Sequence, residues 1–387
     1  MGENRVAMRK ILRELQGREK QMLRLLERFV ECESPSHDKA AVDRMGSLAA
    51  SEWQKRDAKV TLLGRAKRGD HVRAEIFFGE GRPAGQILVL GHLDTVYRMG
   101  TIGKMPFRVF GGRAWGPGTF DMKAGIVQAL AAVDALQAAR ATPQKRIVFL
   151  WTSDEEMGSE TSRVAIESEA RRSDAVLVLE PSFGRDGRLK TARKGVSGAE
   201  IIVTGRASHA GIDPERGVNA VHELALQIER LIQLNNTKRG ITVQATVIEG
   251  GTVTNVVPDH ARAELDIRYA RMADSRTLDR QLRGLKPILK GARVEVRCGS
   301  NRPPLERTAA VGRLFHRAQS LMRELGLPLD EAATGGASDG NFTAALGVPT
   351  LDGLGAVGAG AHSPSEHIWI RPLSERAALI AGLLATL

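Results

Sequence analysis

Three short, uninterrupted apolar runs, separated by segments with helical periodicity, constrain the fold of this chain more than any other feature. They lie at 87–90, 147–151 and 176–179. Apolar runs of this length are typical of strands that are buried on both faces. A helix rich in Ala and Leu is predicted from Met122 to about Arg140, between the first two runs. This alternation predicts an α/β domain with a mixed, mostly parallel sheet and helices on both faces.

The pattern changes at about Lys194, where strands and helices follow in the order β-α-β-β-α-β, which is typical of ferredoxin-like α+β domains. The strands are predicted at 199–204, 241–248, 262–269 and 292–298, and the helices at 218–234 and 275–289. Asn301-Arg302-Pro303-Pro304 then interrupts the chain, and helix–strand alternation resumes. We therefore predict a discontinuous α/β domain, formed by 1–193 and 303–387, with an α+β domain inserted at 194–302.

The composition is that of a globular protein, with 42% apolar and 26% charged residues. No apolar stretch approaches the roughly 18 residues that a membrane-spanning helix needs. Residues 1–20 lack the hydrophobic region of a secretory signal. The two cysteines, Cys32 and Cys298, allow at most one disulfide bond. These features predict a cytoplasmic protein with no membrane partner.

The chain is basic, with 56 Lys and Arg against 45 Asp and Glu, a formal net charge of +11. Acidic residues are mixed among the basic ones, and two Tyr and four Trp offer few rings for stacking on bases. We therefore predict no nucleic-acid partner, and an Arg-rich surface that is compatible with anionic small substrates. Nucleic-acid binding driven by charge remains the alternative, and it would require a clustered basic face and a steep salt dependence.

Each apolar run ends in histidine or carboxylate residues. His92 and Asp94 follow the first run, Asp154-Glu155-Glu156 follows the second, and Glu180 follows the third. The carboxyl ends of strands line the binding crevice of an open α/β sheet, so these side chains should meet at one edge. Two further groups belong to the candidate set, namely Asp121 in a Gly/Pro-rich loop and the pair His362 and His367 near the C-terminus.

Each of these pieces alone has an ordinary structural explanation. A His-x-Asp at a strand end is usually a satisfied polar pair, and Asp-Glu-Glu is more often a solvated turn. Their convergence is harder to explain, because crowded carboxylates repel one another unless cations neutralise them. Mixed His and carboxylate ligands suit zinc, and the set is large enough for two ions. Such a pair, about 3.5–4 Å apart, would activate water for attack on a carbonyl.

Nine sequence blocks resemble the two-zinc aminoacylase/carboxypeptidase family, which includes glutamate carboxypeptidase, acetylornithine deacetylase and succinyl-diaminopimelate desuccinylase. They are G-H-L-D-T-V at 91–96, G-P-G-T-F-D-M-K-A-G at 116–125, T-S-D-E-E-M-G-S at 152–159, L-E-P-S at 179–182, G-R-A-S-H-A-G at 205–211, T-N-V-V-P at 254–258, D-I-R-Y-A-R at 266–271, G-G-A-S-D-G at 335–340 and A-H-S-P-S-E at 361–366. The resemblance spans nearly the whole chain in the family's order. P-F-R-V at 106–109 and D-I-R-Y-A-R favour the glutamate carboxypeptidase branch.

The resemblance implies two zinc ions per chain, with Co²⁺ or Mn²⁺ as substitutes. The implied ligands are His92, Asp121 and Glu180 for one ion and Asp121, Glu156 and His362 for the other, so Asp121 would bridge them. Asp94 would accept a hydrogen bond from the ring N–H of His92 that does not face the metal, and would thereby fix the tautomer of His92. Glu155 would be the general base that takes a proton from water. His367 would be an ordinary surface or packing histidine.

The inserted domain carries further candidates and would act as a lid or dimerisation domain. The resemblance implies that His209 stabilises the tetrahedral oxyanion, in its own chain or in the partner of a homodimer. It also implies that Asn255, Arg268 and Arg302 bind substrate, with Arg268 holding a carboxylate bidentately. Asn301 precedes Arg302 where the glutamate-type enzymes usually have Gly.

The sequence thus predicts a dinuclear zinc hydrolase that cleaves an amide or peptide bond next to a free carboxylate. Its substrates would be small peptides or N-acyl amino acids. The alternative is an N-acyl-amino-acid deacylase of the acetylornithine or succinyl-diaminopimelate type. A catalytically inactive binding protein would be expected to have lost a ligand or the base, and every one of these positions is filled by a suitable residue.

Overall fold

The computed structural model describes residues 7–387, apart from the side chain of Ser300. The first compact unit comprises Met1–Thr191, Arg307–Thr334 and Ser338–Leu387. The second comprises Ala192–Glu306 and Gly335–Ala337. The span 194–302, predicted as an insert, falls within the second unit. The first six residues of the segment considered for a secretory signal lie outside the described part of the chain.

The strands follow in chain order. They are β1 (Lys59–Leu63), β2 (His71–Ile76), β3 (Gln86–His92), β4 (Arg108–Phe110), β5 (Arg113–Trp115), β6 (Arg146–Thr152), β7 (Ala175–Val178), β8 (Leu189–Arg193), β9 (Gly195–Thr204), β10 (Thr242–Gly250), β11 (His260–Tyr269), β12 (Arg293–Arg302), β13 (Glu331–Thr334), β14 (Thr350–Leu351), β15 (Gly358–Ala359) and β16 (His367–Trp369). The α-helices are α1 (Met8–Gly17), α2 (Glu19–Glu31), α3 (Lys39–Gln54), α4 (Ala124–Ala138), α5 (Arg163–Ala170), α6 (Ala220–Ile232), α7 (Met272–Arg283), α8 (Ala309–Glu324), α9 (Gly340–Ala345) and α10 (Arg371–Thr386).

The first unit is built on a six-stranded sheet in the order β1-β2-β6-β3-β7-β14. The strands β6, β3, β7 and β14 pair in parallel, whereas β1 and β2 pair antiparallel at one side. The predicted α/β class with a mixed, mostly parallel sheet is confirmed. The three apolar runs found in the sequence lie in β3, β6 and β7, which are the three central parallel strands of this sheet.

Alternate residues of β3, β6 and β7 pack into two separate cores, which is why these strands are apolar at nearly every position. Val89, Phe149 and Leu177 face a core that α4 and α10 help to form. Their neighbours face the opposite core, which includes Ile166 of α5 and Phe342 of α9; these neighbours are Leu88, Leu90, Val148, Leu150, Val176 and Val178. Helices therefore cover both faces of the sheet, as predicted.

Two small sheets were not predicted, because strands of two to five residues carry too little periodicity to be recognised. One pairs β8 with β13, and the other has the order β15-β16-β5-β4. In the second of these, β5 precedes the loop that carries Asp121, and β16 follows the loop that carries His362. The pairing of Trp115 with His367 brings these two loops together.

The second unit has an antiparallel four-stranded sheet in the order β10-β11-β9-β12, with α6 and α7 between its strands in the chain. The predicted order β-α-β-β-α-β and the ferredoxin-like class are confirmed. Helix α7 was predicted at 275–289, but it ends at Arg283. Gly284 and Pro287 follow, and a proline cannot continue a helix because it lacks an N–H and clashes with the preceding turn.

In the described part of the chain, the longest apolar helices fall short of what a bilayer crossing requires.

Candidate metal centre

The adjacent strands β3, β6 and β7 bring three of the candidate residues to one edge of the main sheet. His92 is the last residue of β3, Glu156 lies in the short turn after β6, and Glu180 follows β7 by two residues. Because β3 is parallel to both of its neighbours, the carboxyl ends of these three strands lie at the same edge of the sheet. Asp121, in the turn before α4, and His362, in the loop between β15 and β16, complete the group.

These five side chains form two trios that share Asp121. The first trio is His92, Asp121 and Glu180, the second is Asp121, Glu156 and His362, and within each trio one candidate ligand atom per residue lies within 4.8 Å of the others. Nε2 of His92 lies 3.2 Å from Oδ1 of Asp121 and 3.5 Å from Oε1 of Glu180. Nε2 of His362 lies 3.3 Å from Oδ2 of Asp121 and 3.1 Å from Oε1 of Glu156. Asp121 thus presents one oxygen to each imidazole.

The cluster is closed at one end and open at the other. The side chain of His92 is 1% exposed, whereas that of His362 is 49% exposed. Asp121 and Glu156 lie between them, at 14% and 9% exposure. A small molecule can therefore reach this cluster from the side of His362.

Burial and neighbouring charges set the protonation of these groups. Burial lowers the pKa of His92, but hydrogen bonds with Asp121 and other carboxylates outweigh it and hold the pKa well above its ordinary value. Hydrogen bonds with Asp121 and Glu156 raise the pKa of His362 to about 10. Burial raises the pKa of Asp121, but the two imidazoles outweigh it and lower the pKa. Burial raises the pKa of Glu156.

The donor set fits a pair of divalent cations. Three carboxylates stand around two imidazoles, and without a metal they are held together by the positive charge of those imidazoles. Two divalent ions would supply that charge directly, and each would find nitrogen and oxygen ligands of the kinds that zinc binds. The five ligands implied by the family resemblance are therefore brought together, and their metal-binding role stays a prediction.

Asp94 contacts the ring of His92 through its main-chain oxygen as well as through the predicted carboxylate. The nearest acceptor for Nδ1 of His92 is the main-chain oxygen of Asp94 at 2.9 Å, while its carboxylate Oδ1 lies 3.5 Å away. The carboxylate accepts the Ser36 hydroxyl at 2.7 Å and the main-chain N–H groups of Glu155 and Glu156, both at 3.3 Å. Asp94 therefore orients the ring of His92 and also holds the turn that carries Glu155, whose side chain is half-buried.

Three residues next to the trios had no predicted role, the buried Glu366 and Lys123 and the half-buried Tyr97. Glu366 accepts hydrogen bonds from the turn that carries Asp121, and Tyr97 donates to Glu366. Lys123 is 1% exposed, and Nζ donates to the main-chain oxygens of Phe29 and Cys32, each at 2.9 Å. Burial lowers the pKa of Lys123 to about 8. Glu366 is the last letter of the block A-H-S-P-S-E, so a signal was present, but sequence alone assigns it no partner.

His367 is buried at 8% exposure, and its ring packs against Trp115 and Trp369, with centroids 4.3 and 5.1 Å away. It belongs to neither trio.

The remaining candidates, His209, Asn255, Arg268 and Arg302, lie in the second unit. His209 and Asn255 are exposed, and the main-chain oxygen of Asn255 accepts the N–H of Ala210 at 2.9 Å. Nδ1 of His209 accepts the main-chain N–H groups of Gly211 at 3.1 Å and Ile212 at 3.2 Å. An acceptor at Nδ1 places the ring proton on Nε2, so His209 presents an exposed N–H donor.

Arg268 is held by a neighbour that the sequence did not single out. Nε and Nη2 donate to the two oxygens of Asp266 at 2.9 Å each, and Nη1 donates to the Gly335 oxygen at 3.2 Å. A guanidinium has five N–H groups, so these bonds leave one on Nη1 and one on Nη2. Those two suit end-on, bidentate binding of a carboxylate.

Arg268 and Arg302 lie in the same cross-strand row. Arg268 pairs with Val196 from one side, and Arg302 pairs with Val196 from the other, next to a β-bulge between Ser300 and Arg302. Two strand spacings, about 10 Å, separate the main chains of the two arginines. Arg302 is 8% exposed, so its side chain is mostly covered.

A mixed α/β unit with a His and carboxylate cluster at the carboxyl ends of its inner strands, joined to a ferredoxin-like unit, defines a class of metal-dependent hydrolases. Comparison with known proteins narrows this class, since peptidase family M20/M25/M40 matches residues 88–386. The chain belongs to this family.

Individual relatives agree with this assignment. The chain is 32% identical to carboxypeptidase G2 of Pseudomonas sp. (strain RS-16) over 374 residues, covering 95% of this chain and 89% of the relative. It is 26% identical to succinyl-diaminopimelate desuccinylase of Dechloromonas aromatica (strain RCB) over 389 residues, covering 94% and 98%. Among solved structures, a dinuclear metal-binding peptidase of the M20 family from Bacillus subtilis superposes with a TM-score of 0.72 at 15% identity, covering 96% of this chain and 98% of that one. The resemblance to a family of peptidases and amide hydrolases, inferred from sequence blocks, is confirmed.

Proposed function

We propose that this chain is a dinuclear zinc hydrolase that cleaves an amide or peptide bond next to a free carboxylate. The observation that carries the proposal is the pair of trios that share Asp121, with one oxygen directed to each imidazole. His92, Asp121 and Glu180 would hold one ion, and Asp121, Glu156 and His362 the other. Co²⁺ or Mn²⁺ would serve as substitutes, since they accept the same ligands.

When bound, such a pair of ions polarises a carbonyl and lowers the pKa of a water molecule. The chain's own residues would do the rest. Glu155 takes the proton of the attacking water and passes it to the leaving nitrogen. Its position supports this role, because it adjoins the ligand Glu156 in the turn that the carboxylate of Asp94 holds. Asp94 also orients the ring of His92 through its main-chain oxygen.

Residues 194–302, in the second unit, would form a lid or dimerisation domain that contributes substrate binding. His209 would donate from Nε2 to the oxyanion that forms during attack, and the tautomer set by Gly211 and Ile212 supports this. Arg268 would bind the substrate carboxylate with its two remaining N–H groups, and Asn255 would assist. We further propose that the protein is a cytoplasmic homodimer, in which His209 serves its own chain or the partner.

Substrates with two carboxylates suit this chain best. Arg268 and Arg302 both pair with Val196, and their main chains are about two strand spacings apart, roughly 10 Å. Arginine side chains are long enough to converge across that spacing, so the two would bind the two carboxylates of one substrate, such as an N-acyl-glutamate. The alternative is a deacylase, and the relative named succinyl-diaminopimelate desuccinylase favours a succinyl over an acetylornithine substrate.

Metal analysis and kinetics test the proposal. Purified protein should contain close to two zinc ions per chain and lose hydrolysis on chelation, with recovery on adding Zn²⁺ or Co²⁺. kcat/KM should then be compared on folate-like and N-acyl-glutamate substrates, N-succinyl-diaminopimelate and N-acetylornithine. Full activity in metal-free protein would refute the function. A preference for N-succinyl-diaminopimelate or N-acetylornithine would favour the deacylase instead.

A further inference from the structure

The turn that carries Asp121 is bonded to a buried carboxylate from the far end of the chain. Glu366 is 0% exposed. Its Oε1 accepts the main-chain N–H groups of Phe120 at 2.8 Å and Asp121 at 2.9 Å. Its Oε2 accepts the main-chain N–H of Gly118 at 3.0 Å and the hydroxyl of Tyr97. Four donors thus converge on two oxygens.

This arrangement needs an ionised carboxylate at position 366. A carboxylate offers about four acceptor sites and no donor, which matches four donors, whereas an amide or a protonated acid would direct a hydrogen at one of them. The main-chain oxygen of Glu366 also accepts the N–H of Gly116 at 3.3 Å.

The main chain of the turn at 116–121 is restricted at Gly118. This residue has φ +72°, and a Cβ there would lie 2.8 Å from Cγ2 of Thr95, so the turn tolerates only glycine at this point.

Glu366 is also tied to the loop that carries His362, four residues earlier in the chain. That loop is closed by the N–H of Ser363 to the Gly360 oxygen at 3.0 Å and by the N–H of Glu366 to the Ser363 oxygen at 3.1 Å. The Tyr97 hydroxyl, 3.0 Å from the same Ser363 oxygen, contacts loop and carboxylate together. Glu366 therefore joins the main chain at Asp121 to the main chain at His362.

We propose that Glu366 is a positioning residue that sets the distance and orientation of Asp121 relative to His362, and that Tyr97 in turn orients Glu366. This inference rests on the proposed metal centre, because its consequence is the affinity of the second trio for an ion. Glu366 acts only through the main chain of the turn at 116–121 and has no contact with the reacting atoms. Partners of this kind, outside the ligands, typically change metal affinity about 10–100-fold when they are altered.

The test measures Co²⁺ binding by metal-free protein, using chelator competition for affinity and the visible absorption spectrum for ligand geometry. Glu366→Gln keeps the shape of the side chain and can still accept from Phe120 and Asp121, but its NH₂ group faces the N–H of Gly118. We expect the second trio of this variant to bind Co²⁺ about 10–100-fold less tightly than that of wild type, with an altered spectrum. Tyr97→Phe removes one of the four donors and should give a change in the same direction but smaller.

Glu223→Gln is the matched control. Glu223 is also 0% exposed and accepts main-chain N–H groups of Ile288 and Leu289, but it lies in the second unit and belongs to neither trio. We expect it to lower the melting temperature as Glu366→Gln does, while Co²⁺ affinity and spectrum stay at wild-type values. Because Tyr97→Phe deletes only one hydroxyl, it keeps the test decisive if Glu366→Gln fails to fold.

The possible outcomes distinguish failure of the positioning role of Glu366 from failure of the proposed metal centre. Wild-type affinity and spectrum in Glu366→Gln, or in Tyr97→Phe where Glu366→Gln does not fold, would overturn the positioning role and leave the proposed function standing. So would an equal loss of Co²⁺ affinity in Glu366→Gln and Glu223→Gln, because the effect would then be one of general stability. Wild-type protein that binds no Co²⁺ would overturn the proposed function, and the positioning role with it.

Discussion

Binding of two zinc ions to the metal-free protein should release at least two protons per chain at about pH 7.5. The carboxylates around His362 raise its pKa to about 10, and those around His92 hold its pKa well above the ordinary value despite burial. A metal ion binds only the unprotonated ring nitrogen, so each imidazole must lose its proton. At this pH an imidazole with the ordinary pKa of about 6.5 is only about one-tenth protonated, so unperturbed rings would release about 0.2 protons in total.

The sign of the pH dependence follows from the same shifts. Because the pKa values of His92 and His362 are raised in the folded, metal-free protein, their contribution to its stability is fully present below about pH 6.5. The contribution of His362 is lost as the pH rises toward about 10, so the melting temperature of metal-free protein should fall over this range. Metal affinity should move the other way, rising about tenfold per pH unit between about pH 6.5 and 8.5 at the trio that contains His362.

Isothermal titration calorimetry in buffers of different ionisation enthalpy measures the number of protons released. A water molecule that ionises on binding would add to the number and not reduce it. His362→Gln should lower the release by about one proton, whereas His222→Gln, at an exposed position of α6, should leave it unchanged. A release of about 0.2 protons, with affinity independent of pH above about 6.5, would refute the inference that carboxylates hold both imidazoles in the charged form.

Glu155→Gln should retain both metal ions but lower kcat about 10²–10⁴-fold, as expected for loss of a general base; loss of a metal ion in this variant would mean that the roles of Glu155 and Glu156 are exchanged. His209→Ala should leave metal content unchanged and lower kcat about 10²–10³-fold. Mixing it with Glu155→Gln should restore part of the activity in hybrid dimers if His209 serves the partner, and verified subunit exchange without recovery would exclude this. Arg268→Ala should raise KM for carboxylate-bearing substrates more than it lowers kcat, and Asp266→Asn, which loosens Arg268, should do the same to a smaller extent. An unchanged KM in both would contradict the role of Arg268.

Much of the fold was predictable because its signals are local. The apolar runs in β3, β6 and β7 identify strands buried on both faces, since each of two opposite cores takes alternate residues of the same strand. The order of strands and helices identified the ferredoxin-like unit. Local signals also have limits, and the three-residue strands β4, β5 and β16 were missed because they contain less than two periods of alternation.

The candidate ligands were predictable for a related reason. Each follows a strand or lies in a recognisable block, so the sequence could name His92, Asp121, Glu156, Glu180 and His362 before their distances were known. The sequence could not show that the main-chain oxygen of Asp94, and not its carboxylate, is the nearest partner of the His92 ring. That preference depends on the path of the main chain after β3, which residue types do not specify.

Sequence alone thus determined the class of fold, the family and the set of side chains capable of metal chemistry, because these depend on local periodicity and on residue identity. Tertiary structure alone decided how those side chains are held and charged. The bond from the Phe120 N–H to Glu366 joins residues 246 positions apart, and the raised pKa of His362 arises from carboxylates on two other loops. Such contacts depend on the packing of distant segments, so the sequence block that contains Glu366 does not show which main-chain N–H groups surround its carboxylate.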